Sequence, residues 1–72
     1  MSLYRFHDTL DSATKIFLMA SKLAQNSVDL ADEAAVADLL LADRWRSRDI
    51  DTYFEAVIEK ARVYRADMVG AQ

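Results

Sequence analysis

Apolar residues recur in alternating steps of three and four at both ends of the chain. The first series is Leu3, Phe6, Leu10, Ala13, Phe17, Ala20 and Ala24. The second is Ile50, Phe54, Val57, Ala61, Tyr64 and Met68. Such steps place every member on one side of an α-helix, and that side needs cover from another helix. The pattern predicts that Phe17, Leu41 and Val57 are hidden from water in the folded chain.

Three helices follow from the pattern, over about residues 3–25, 30–46 and 50–69. In the first, Ile16 and Leu23 widen the apolar side, while Asp11, Lys15, Ser21 and Lys22 fall opposite. Asp8 and Asp11 suit its early turns, so its start could fall as late as Asp8. Asn26-Ser27-Val28-Asp29 reads as a turn, with Asp29 or Ser27 capping the second helix. That helix carries Leu30, Ala34, Ala37, Leu41 and Trp45 on one face, flanked by Val36 and Leu40, and is expected to be the most buried element. Ser47-Arg48-Asp49 reads as a second break, with Asp49 capping the third helix and Gly70 just past its end.

No Gly or Pro forces that second break. The alternative is one unbroken helix from Asp29 to Val69, roughly 60 Å long at 1.5 Å per residue. Charge order favours separate helices. Residues 29–43 hold Asp29, Asp32, Glu33, Asp38 and Asp43 without a Lys or Arg, and Arg44, Arg46 and Arg48 follow directly. The third helix repeats the order, from Asp49, Asp51 and Glu55 to Lys60, Arg62 and Arg65. Early acids and late bases complement the helix dipole.

The expected fold is all-α: a three-helix bundle made of an antiparallel hairpin plus a third helix, forming a single domain over residues 1–72. A hairpin folded about Ser27 sets Asp11 opposite Asp43-Arg44 and Asp8 opposite Arg46. It predicts an ion pair from Asp8 or Asp11 to Arg44, Arg46 or Arg48.

Composition then adds a need for partners. A chain of 72 residues hides only about 60% of its unfolded surface and is marginal alone. Without Cys there is no disulfide to help. Apolar residues make up 53% of the chain, enough to support self-association. A homodimer is expected, through Phe6, Leu10, Tyr53, Phe54, Val57 and Ala61. The net charge of −3 and the pI near 4.9 oppose general affinity for nucleic acid or anionic lipid. The longest apolar stretch, Ala34 to Ala42, is interrupted by Asp38 and falls far short of a membrane span. Met1 to Asp8 does not read as a leader, and with no Cys a cytoplasmic setting is expected.

Candidate chemistry is sparse. His7-Asp8 is a conceivable base and orienting acid, but neighbours on a helix do not face one another. Asp29, Asp32 and Glu33 lack the spacing and the Gly of a calcium loop and read as helix-start decoration. No metal or cofactor is expected. Arg44-Trp45-Arg46-Ser47-Arg48 pairs basic and aromatic residues, as nucleic-acid sites do. A helix-turn-helix over Val36 to Ile58 would let Arg48, Thr52 and Tyr53 open a reading helix, but Asp49 and Asp51 there repel phosphate. The leading expectation is a non-enzymatic protein-binding module, a regulator, adaptor or inhibitor. A small dimeric transcription factor using Arg44, Arg46 and Arg48 is the alternative.

Overall fold

Aspartates set where the first two helices begin. The computed structural model describes residues 9–70, with side chains over 9–67. These residues form three helices and no strand: α1 (Ser12–Gln25), α2 (Glu33–Ala42) and α3 (Ser47–Gly70). Asp11 is extended and accepts the Thr14 N–H at 2.8 Å, capping α1. Thr9 and Leu10 are not helical, so the expected helix over 3–25 is shorter at its start; the part over 3–8 lies outside the described residues. Asp29 does not cap α2. Its carboxylate turns back onto the Ala31 N–H at 2.9 Å, and Asp32 caps instead, accepting from Ala35 at 3.1 Å.

The end of α2 comes at Ala42, four residues before the expected end at Arg46. Trp45 N–H reaches Leu40 O at 3.1 Å and Arg44 N–H reaches Leu41 O at 3.0 Å. This is a Schellman stop, built with Arg44 at φ 71° where glycine is usual. Trp45 and Leu40 are both buried in the core, which supplies the apolar contact that accompanies the motif. A single helix from Asp29 to Val69 is therefore ruled out. Helix α3 starts earlier than expected. Arg46 O accepts the Ile50 N–H at 3.0 Å, and Asp49 lies within the first turn rather than at the cap.

The core joins Met19, Ala20 and Leu23 of α1, Val36 and Leu40 of α2, and Ile50, Val57, Ile58 and Ala61 of α3, with Leu30 and Trp45 from the connections. Val57 is hidden as expected, at 1% exposure. Phe17 and Leu41 are not, at 52% and 43%. The reason is competition between overlapping stripes. Ile16, Met19 and Leu23 also follow helical spacing, and the buried side of α1 falls between the two series, taking Met19, Ala20, Leu23 and Ala24 and leaving Phe17 at its edge. On α2, Val36 and Leu40 likewise displace Ala34 and Leu41. Only those two α2 residues are fully buried, so α2 is not the most buried element.

Instead α1 packs chiefly on α3. Ser12 meets Tyr53, Phe17 meets Tyr64 and Leu23 meets Arg65, so the two helices run side by side in the same direction. The expected register between α1 and α2 fails, because Lys22 rather than Asp11 approaches Asp43, at 3.7 Å. Asp11 is occupied by its cap, and Asp8 lies outside the described residues. No helix among them is long and apolar enough to cross a membrane.

Candidate docking face

Three sets of side-chain contacts fix α1 against α3. Lys15 Nζ lies 3.2 Å from Asp49 Oδ2, with both side chains mostly covered. The Ser12 and Tyr53 hydroxyls share a hydrogen bond of 2.9 Å. Arg65 Nη2 points into the last turn of α1, within 2.9 Å of Leu23 O, 2.5 Å of Asn26 O and 2.6 Å of Val28 O. A guanidinium there satisfies orphan carbonyls and complements the negative end of the α1 dipole. Asn26 Nδ2 adds a bond to Lys22 O at 2.6 Å.

Beside this clamp the surface is apolar. Phe17 stands edge-on to Tyr64 with ring centroids 6.1 Å apart. With Ser21, Ala24 and Gln25 they line an open groove of about 330 Å³. Val63, half exposed, follows on α3 next to Tyr64. Phe17 and Val63 are thus large apolar groups that the chain itself leaves uncovered.

A second groove of about 510 Å³ runs between the start of α2 and α3. Its floor is Leu30, Phe54 and Ile58, and its rim carries Glu33, Glu55, Glu59 and Arg62. Leu30 and Ile58 are already buried, so this groove offers mainly charge.

The residues expected at an interface are scattered. Val57 and Ala61 are enclosed within the chain, at 1% and 0% exposure, and present nothing to a partner. Leu10, Tyr53 and Phe54 are half-buried against the core, and Phe54 faces the acidic groove. Phe6 and His7 lie outside the described residues. Arg44, Arg46 and Arg48 are all exposed around the corner between α2 and α3. Asp43 and Asp49 sit beside them, and Asp43 accepts the Trp45 indole N–H at 3.3 Å.

The described residues contain no group of three His, Cys, Asp or Glu able to hold a metal. Asp29 and Asp32 serve the turn and the cap. The titration shift that stands out is at Asp11, where the Thr14 hydroxyl and then the Thr14 amide hold the carboxyl below its usual 3.8.

Comparison with known proteins finds no match to any family model, curated protein or solved structure.

Sequence reasoning missed Phe17 as a surface group, because it assigned Phe17 to the buried side. It missed the Arg65 clamp and the Lys15–Asp49 pair as well. The competing Ile16-Met19-Leu23 series was the available signal for the first. Nothing local marks the other two.

Proposed function

We propose that this chain is a non-enzymatic helical protein-binding module, a regulator, adaptor or inhibitor, acting through the face that carries Phe17, Val63 and Tyr64. The observation that carries the reading is Phe17, an aromatic ring 52% exposed between small neighbours and beside a second aromatic. A flat apolar ridge with little side-chain entropy to lose suits docking on a partner's helices. The wider expectations belong to the same reading: a compact helical bundle that works as a homodimer in the cytoplasm, without a cofactor.

The test is capture from host lysate by immobilised wild-type chain and by Phe17→Asp. Proteins held by the first and lost by the second, and retained in raised salt, support the reading. Capture that Phe17→Asp leaves unchanged contradicts it. Exposure of Arg44, Arg46 and Arg48 at one corner keeps a nucleic-acid reading in view. Salt-sensitive binding abolished by changing those three to Ala would favour it instead.

A further inference from the structure

We infer that the occupant of this face is a second copy of the chain, docked antiparallel about a twofold axis that passes between Val63 and Tyr64 of α3. The inference rests on the docking face proposed above and identifies its partner.

Charge placement carries it. Lys60, Val63, Tyr64 and Asp67 follow steps of three and four, so they share one side of α3. Lys60 and Asp67 are exposed, opposite in sign, and about 10 Å apart along the axis. Neither enters an ion pair among the described residues. They flank Val63 and Tyr64 symmetrically. An antiparallel copy therefore sets Lys60 against the second copy's Asp67 and Asp67 against the second copy's Lys60, while each Val63 meets a Tyr64. This is the self-complementarity that a twofold interface requires. A parallel arrangement would oppose like charges.

The neighbouring helix fits the same rotation. The Phe17 ring stands 6.1 Å from the Tyr64 ring and so borders the same surface, where the second copy would cover it. Ala13, Ser21 and Ala24 around Phe17 are small and uncharged, which leaves room for a close approach without burying a charge. The result is a layer of two α1–α3 pairs, face to face.

Sedimentation equilibrium across micromolar concentrations tests the register, with helicity by circular dichroism confirming that each variant folds. Lys60→Asp should weaken the dimer by about tenfold, since it creates two like-charge contacts by symmetry. Asp67→Lys should do the same. The combined Lys60→Asp and Asp67→Lys chain should return to within about threefold of wild type. A dimer indifferent to the single reversals, or not rescued by the swap, overturns the register. A monomeric wild type whose Phe17-dependent capture of other proteins persists overturns self-pairing alone. A dimer unaffected by both the reversals and Phe17→Asp overturns the face as well.

Discussion

Arg65 Nη2 rests 2.9 Å from Leu23 O and so ties the later part of α3 to the end of α1. Its reach to Asn26 O and Val28 O also orders the turn that leads toward α2. The contact explains how a chain with few turn punctuators holds a defined first connection, and why α1 lies along α3.

Arg65→Met should lower stability by about 2–3 kcal/mol, because it removes a charged donor from carbonyls with restricted access to water. Urea unfolding followed by the fluorescence of buried Trp45 reads the loss. Arg65→Lys should recover only part of it, since an ammonium is more strongly hydrated than a guanidinium and costs more to bring to this covered site. An unchanged midpoint for Arg65→Met would contradict the clamp.

Arg44 holds a left-handed backbone, which costs a non-glycine residue about 1 kcal/mol or more. Arg44→Gly should raise the urea midpoint by the equivalent of about 0.5–1 kcal/mol, less than the full strain because glycine loses more entropy on folding. A fall in the midpoint would show that the Arg44 side chain outweighs the strain.

Lys15 and Asp49 form a largely covered pair between α1 and α3, at 13% and 9% side-chain exposure. Asp49→Leu alone should cost about 3 kcal/mol, because it leaves an ammonium with poor access to water. Adding Lys15→Met should recover much of that loss. Thermal melts of the two singles and the double give the coupling, and simple additivity would contradict a direct interaction.

Asp11 gives a pH dependence with a definite sign. Its folded carboxyl titrates below 3.8, held there by the Thr14 hydroxyl and amide. The unfolded chain therefore takes up the proton first as pH falls. The stabilisation is present above the unfolded value and is lost as pH drops through the folded one. Asp11→Asn, which can still cap but cannot ionise, should show a flatter decline in stability below pH ~4 than wild type. Equal slopes in acid melts would contradict the cap's role.

How far the fold could be read in advance varied with the helix. On α3, Ile50, Val57 and Ala61 of the second stripe are all buried, joined by Ile58 from outside it. On α1, two series overlap, and the choice between them depends on side-chain bulk as well as spacing. Phe17 was misplaced for that reason. The stop after Ala42 was illegible because it lacks glycine; the Leu40 and Trp45 contact that closes it becomes visible only once the chain turns. Asp29 and Asp32 are equally plausible caps by composition, and only the turn geometry separates them. Arg65 and Asp49 act on residues more than thirty positions away. No local pattern reports such contacts, whereas Phe17 and Tyr64 of the docking face stand in the two stripes and were both assigned to buried sides.

The Phe17 and Val63 face is exposed in one chain, and the inferred dimer covers it with a second. Isotope-filtered NOE spectra of a mixed labelled and unlabelled sample observe that contact directly. Paired faces predict cross-chain signals from the Phe17 ring, and from the Tyr64 ring to the Val63 methyls. Cross-chain signals from Phe54 and Ile58 with silence at Phe17 and Val63 would contradict it.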